Sequence, residues 1–397
     1  MLTKFVKKEV FLLLIIFITF INPFFYGNRV AILFLIFVLL KIKNTFQLID
    51  SNFFLILFFS VSYEFFSSFN VNYVDNGLFS IIPNTFVPSL LYITGKYIAR
   101  NYTSEKVLVF LLLYLSFCFS FIPMISVIEQ IINNGFIEGE RTMYLLWDKN
   151  TLMSPTNLSA FFVLNIVSFG LINIKYISSI KTKIYISVIF VLSLLCVLRL
   201  GSRTQLIIAV LSFGLIFYRN FKNFSSSKKI LTLLFLGGII FYFSTAVDYN
   251  VSILKFYQDR YDSEQYGVGT AGGRTDRWLG SMESIFSDPL GWELDRYGYS
   301  HNMWLDIARM GGVISFILFL VFTINILFKF ILMLKNNNNL FLKNLFIVYY
   351  LGFSLVFFVE PIMDGYYLLF LLFCLFTGIL VEYTRTINTE QNEFNSV

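Results

Sequence analysis

A chain of 397 residues that is 57% hydrophobic and only 14% charged, with a mean hydropathy of +0.73, is neither a soluble globular protein nor a disordered one. Thirty basic residues against 24 acidic ones give a net charge of +6, and a single histidine excludes a histidine-rich metal centre. The composition predicts an all-α polytopic membrane protein with no nucleic-acid partner.

A helix needs about 20 apolar residues to cross a bilayer, and runs of that order recur along the chain. About 12 transmembrane helices are expected, near 10–26, 28–40, 46–69, 77–98, 107–128, 157–174, 184–200, 204–218, 230–247, 311–334, 341–359 and 362–381. The start, MLTKFVKKEVFLLLIIF, imitates a signal peptide but lacks a small-residue cleavage site, so it is read as the first helix. This places spans 1–9 within residues 1–247, a large outer loop with short helices over 248–310, and spans 10–12 with a tail over 311–397. A second outer loop covers roughly 129–156. With both termini inside, the inner segments collect 19 of the 30 basic residues, as orientation requires.

The basic residues also sort by type. The inner side has 16 Lys and 3 Arg, and the outer side has 9 Arg and 2 Lys. Orientation does not distinguish Lys from Arg, whereas a planar guanidinium grips phosphate or carboxylate with two bonds. The outer arginines therefore suggest an anionic substrate, or pairs with loop acids. Arg199 and Arg203, in VLRLGSRTQLI, bracket a tight turn between spans seven and eight, where a charge near hydrocarbon implies a partner. Glu360 and Asp364, in VEPIMDGYY, are candidates for that partner. Glu64 near the outer end of span three reads as either an interfacial carboxylate or a catalytic one.

In the large loop, YGVGTAGGRTDRW is glycine-rich and then turns helical. Trp278, Met282, Ile285 and Phe286 follow at helical spacing, giving an apolar face able to lie on a membrane surface, until Asp288-Pro289 stops the helix. A second helix begins near Ser300. Asn302, Asp306 and Arg309 form one polar stripe on it, and His301 stands at its start. His301 is either an interfacial imidazole capping its own helix or a proton acceptor with a useful working range.

No P-loop, G-x-S-x-G, H-E-x-x-H or Asp-x-Asp is present, so the expected chemistry uses no metal and no cofactor. Cys118, Cys196 and Cys374 all fall within predicted spans and read as packing residues. Arginines with one histidine suit transfer of a group away from a phosphate, since guanidinium groups stabilise the charge that grows as the bond breaks.

The run GGRTDRW, then DPLGW, then SHNMWLDIARMGGVIS resembles the O-antigen polymerase and O-antigen ligase family of bacterial polysaccharide assembly. The motifs are Arg274 to Trp278, Pro289 to Trp292, His301-Asn302 with Gly311-Gly312, and Arg203 opening span eight. One departure is Ser315, where glycine is common, and another is a second arginine, Arg277, one turn from Arg274. The resemblance implies a membrane glycosyltransferase of the bacterial inner membrane, with both termini cytoplasmic and the large loop periplasmic. It would move a glycan from undecaprenyl diphosphate onto another lipid-linked repeat unit. The implied partners are that lipid-linked oligosaccharide, membrane lipid, and a chain-length regulator and flippase of the same pathway. Arg203 and Arg274 are assigned to the diphosphate and His301 to the acceptor hydroxyl or a donor phosphate oxygen, with Arg277, Arg199, Asn302 and Arg309 binding substrate. A ligase acting on lipid A core is the nearest alternative, and a lipid-linked glycan flippase or other transporter is the alternative from another class.

Overall fold

The computed structural model describes residues 1–70, 78–135, 142–173, 180–221, 226–227, 229–230, 274–337 and 339–395. The ninth expected span beyond residue 230, and the large loop up to residue 273 with its glycine-rich stretch, lie outside these. Within the described residues the fold is helical apart from one hairpin, so the all-α expectation holds as a class.

Among the described residues six helices are long and apolar enough to cross a membrane, or seven if a bent pair counts as one span. Twelve spans were expected, and several of the expected runs form shorter or broken pieces. Val10–Ile21 has only 12 residues. The second expected span, 28–40, is matched by a helix over Gly27–Leu40, and an 89° turn separates it from Ile42–Leu48. The sixth is split into Pro155–Ala160, Val163–Ser168 and a tighter turn. A count from apolar runs cannot see such breaks, because a break is set by local backbone geometry rather than by hydropathy.

The chain divides into two compact units. The first holds residues 1–122, 274–346 and 353–397, and the second holds 123–273 and 347–352. The helices used below are α1 (Ser51–Asn70), α2 (Leu78–Asn101), α3 (Glu105–Asn134), α4 (Ile180–Leu200), α5 (Arg203–Phe221), α6 (Arg274–Ser287), α7 (Met303–Asn336), α8 (Leu340–Val359) and α9 (Tyr367–Asn395).

In the first unit, α2 and α9 run side by side in the same direction, with Tyr367 Oη donating to Asn84 O at one end. Two glycines let their backbones touch: a Cβ at Gly95 would collide with the Leu375 carbonyl, and one at Gly378 with the Tyr92 carbonyl. Small residues at a crossing are how helices in lipid gain contact, since there is no hydrophobic drive between them. Directly beside this crossing the same pair buries a charge cluster. Lys96 sits there between Asp50 and Glu382, and Arg100 approaches Glu382. Nearby, Tyr97 and Tyr102 both donate to the buried Glu9, with Lys41 3.9 Å away. A carboxylate or ammonium this deep is stable only when paired, so these contacts fix how the helices seat.

Helix α7 is broken near its start. Gly312 has φ +69 and ψ 179, a region open essentially to glycine alone, and the helix changes course there. The break frees backbone groups, and the Pro289–Trp292 turn takes them up. Val313 N–H donates to Pro289 O at 2.9 Å, and Trp292 N–H donates to Arg309 O at 3.0 Å. This accounts for both the Pro-Leu-Gly-Trp motif and the Gly-Gly pair. Ser315 is fully buried and hydrogen-bonds Ser62 on α1 at 2.7 Å, which gives the departure from glycine a structural role.

The second unit has its own core, in which Met124, Val127, Leu158, Phe162, Ile166 and Cys196 pack together. Part of the second outer loop forms the hairpin β1 (Met143–Leu145) and β2 (Asp148–Met153), tied to α3 by Leu146 N–H donating to Ser126 Oγ. All three cysteines are buried and unbridged.

Candidate functional site

His301 is held by a clamp rather than by its own side chain. It has φ +54, the left-handed conformation that L residues seldom adopt, directly before the first turn of α7. Asn302 caps that helix, its Oδ1 accepting from Trp304 N–H and Leu305 N–H at 3.2 and 3.3 Å. Asp306 reaches back from the next turn to accept from Ser300 N–H at 2.9 Å and Asn302 N–H at 3.2 Å. From the other side Trp278 Nε1 donates to Ser300 O at 2.7 Å, and Arg277 donates to Tyr299 O. A charged acceptor on two main-chain donors is among the stronger arrangements available, and it fixes the direction in which His301 points.

The side chain so presented meets Glu360, which ends α8. His301 Nδ1 lies 3.8 Å from Glu360 Oε2, an ion-pair distance that is too long for a formed hydrogen bond. Glu360 is fully buried. Burial pushes its carboxyl above the ordinary range, while His301 and the Arg274 charge pull it back down. Arg274 opens α6, and its charge acts on the carboxylate that His301 faces. The phenol of Tyr366, itself raised by burial, also feels the Glu360 charge.

Beside this trio lies a second group. Arg309 Nη2 donates to Asp364 Oδ2 at 2.6 Å, stands 3.9 Å from Asp306, and lies over the ring of Tyr299. Burial pushes the Asp364 carboxyl up to about 6, with the Arg309 charge opposing the rise. The polar stripe of Asn302, Asp306 and Arg309 thus faces into the protein and is spent on internal bonds. Asn302 caps, Asp306 clamps, and Arg309 braces the turn between α8 and α9.

Asp364 pairs with Arg309, and Glu360 faces His301, contacts that spacing along the chain did not suggest. One sequence expectation is corrected here, since the apolar face expected on α6 is shifted. Trp278 packs edge-on against Phe358, and Ile285 joins Trp292, Leu305 and Ala308 in a core, so both turn inward. Leu279 takes the outward position instead.

Arg199 and Arg203 belong to the second unit. Arg199 is buried near the end of α4 and Arg203 is half-buried at the start of α5, on either side of a turn in which Ser159 Oγ donates to Ser202 Oγ. Glu64 is buried on α1.

Of the seven residues singled out from sequence, the structure gathers Arg274, Arg277, His301, Asn302 and Arg309 in one unit. Glu360 as the partner of His301 was missed. Its signal was a carboxylate directly after an apolar helix, which in a membrane protein is costly and calls for a nearby charge. Comparison with protein-family models and with the curated proteins finds no match.

Proposed function

We propose that this chain is a membrane glycosyltransferase that moves a glycan from a polyprenyl diphosphate onto a hydroxyl of another lipid-linked repeat unit. The observation that carries the reading is His301 facing the buried Glu360, with the Arg274 charge acting on the same carboxylate, beside the ends of α7 and α8, which are long enough to span a membrane.

In this reading the acceptor hydroxyl oxygen attacks the anomeric carbon, the bond from that carbon to the phosphate oxygen breaks, and the diphosphate leaves with the electron pair. The hydroxyl proton passes to His301. Glu360 stands on the Nδ1 side, so Nε2 is the nitrogen that meets the acceptor. The buried carboxylate 3.8 Å from Nδ1 stabilises by its charge the imidazolium that forms, as a carboxylate partner does for a general base. Arg274 meets the charge developing on the departing diphosphate, a contact that accelerates the step to the extent that it strengthens as the bond breaks. Arg277 is the nearest second guanidinium on the same helix. The role of Arg203 on the diphosphate rests on the family resemblance.

The test uses purified chain in lipid nanodiscs with a polyprenyl-diphosphate-linked repeat unit, resolving products on a gel. A ladder of lengthened glycans, lost in Arg274→Ala and His301→Ala proteins that still purify as folded monodisperse species, supports the reading. Transfer only when lipid A core is supplied makes the enzyme a ligase. No transfer to either acceptor sinks the transferase reading and turns attention to a transporter.

A further inference from the structure

Helix α6 turns one apolar line away from the protein. Gly280, Ser281, Ser284 and Ile285 are buried against the rest of the unit. Leu279, Met282 and Phe286, at positions i, i+3 and i+7, are 56%, 48% and 86% exposed, and Leu290 continues the line at 64%. Single exposed apolar residues are ordinary on any protein, but a continuous strip is not. Its flank is polar: Asp276, Glu283 and Ser287 are also exposed and lie to one side of the strip.

The strip does not stop at Leu290. The Leu290 main chain packs against Gly312, with its Cα 3.3 Å from where a Gly312 Cβ would stand. Directly beyond that glycine α7 exposes Ile314 and Ile317, at 50% and 51%, and then Val321, Ile324 and Phe328. Helix α7 is one of those long and apolar enough to span a membrane, so in a bilayer this outward face meets hydrocarbon chains. The α6 strip runs into it through Leu290.

We infer that α6 is an interfacial helix, with Leu279, Met282, Phe286 and Leu290 covered by the acyl chains of the leaflet at the His301 end of α7. The occupant is lipid, because the strip is continuous with a face that lipid already covers. The polar flank carries Asp276 and Glu283 and no base, so the attraction is to hydrocarbon rather than to anionic headgroups. The helix thereby holds Arg274, its first residue, at headgroup depth. The inference stands whether or not the chain is a glycosyltransferase.

The experiment places a nitroxide at single introduced cysteines, Met282→Cys, Phe286→Cys, Glu283→Cys and Ile317→Cys, in the full chain in zwitterionic lipid nanodiscs. The native cysteines are buried, and labelled wild-type chain serves as the blank. Relaxation by oxygen, which partitions into lipid, is compared with relaxation by a water-soluble nickel chelate. Positions 282 and 286 are expected to share the high oxygen-to-nickel ratio of 317, with 283 several-fold lower. A ratio at 286 equal to that at 283 means that water covers the strip, and shielding of 286 from both reagents means that protein covers it. Either result overturns the inference. All four sites are exposed and their substitution leaves the packing intact, and a readout at Ile317 that matches lipid confirms that the chain is inserted.

Discussion

Glu360 Oε2 lies 3.8 Å from His301 Nδ1, and the contact joins two turns that are 59 residues apart in the chain (360 − 301). It gives the one imidazole a buried anionic neighbour. Replacing Glu360 by Gln keeps the shape and removes the charge. Glycan transfer is expected to fall by about tenfold or more, less than for His301→Ala, where loss of the base costs on the order of 100-fold. Because burial holds the Glu360 carboxyl above the ordinary range, the acid limb of the wild-type rate profile should also lie higher than for an exposed glutamate. Rate against pH for the two proteins checks this, and an unchanged limb in the Gln variant would falsify the role given to Glu360.

Asp306→Ala removes the acceptor for two main-chain N–H groups at Ser300 and Asn302. Bonds to a charged group are worth about 1.5–3 kcal/mol each, so a loss of about 3 kcal/mol is expected in a denaturation midpoint series. Transfer activity should fall further than stability alone accounts for, since His301 loses its fixed direction. Asp306→Asn, which keeps one acceptor oxygen, should recover part of both.

Gly312→Ala tests the helix break. A side chain there is strained by φ +69, and its Cβ would meet Pro289 O at 2.7 Å. Strain of this kind costs about 1–3 kcal/mol before the clash is counted. A lowered melting midpoint is expected, together with proteolytic opening of the 288–292 turn. Normal stability would mean that the Pro289 turn is not seated in the break.

Asp364 predicts a pH dependence of stability. Its carboxyl is pushed from the ordinary 3.8 up to about 6, so the folded state binds the proton more tightly than the unfolded state. The stability that this contributes is fully present below about pH 4 and is lost as pH rises through about 6. Relative to an Asp364→Asn variant, wild type should lose stability across that window. Parallel midpoint curves from pH 4 to 7 would contradict the assignment.

Gly378→Ala places a methyl group against the Tyr92 carbonyl, where α9 and α2 touch. Overpacking of a tight contact costs about 1–3 kcal/mol, and the helices must separate to relieve it. Thermal scans in detergent should show a drop for Gly378→Ala and almost none for Gly214→Ala, where nothing stands within 4 Å.

Sequence alone determined the class of this protein. Its apolar runs set the long helices, because a chain in lipid must bond its own backbone. Composition also located the unusual residues, since one histidine among 397 residues is visible without coordinates. The Gly311-Gly312 pair and the Pro-Leu-Gly-Trp turn were legible as motifs, but not as two halves of one joint. The split of the sixth run was not legible, because it follows from backbone geometry that hydropathy does not record. The tertiary structure alone decided which acid meets His301. Glu360 and Asp364 differ by four positions, yet one faces the imidazole and the other Arg309. That choice rests on which helix ends the packing of α7, α8 and α9 brings within a few ångströms, and spacing along the chain carries no record of it.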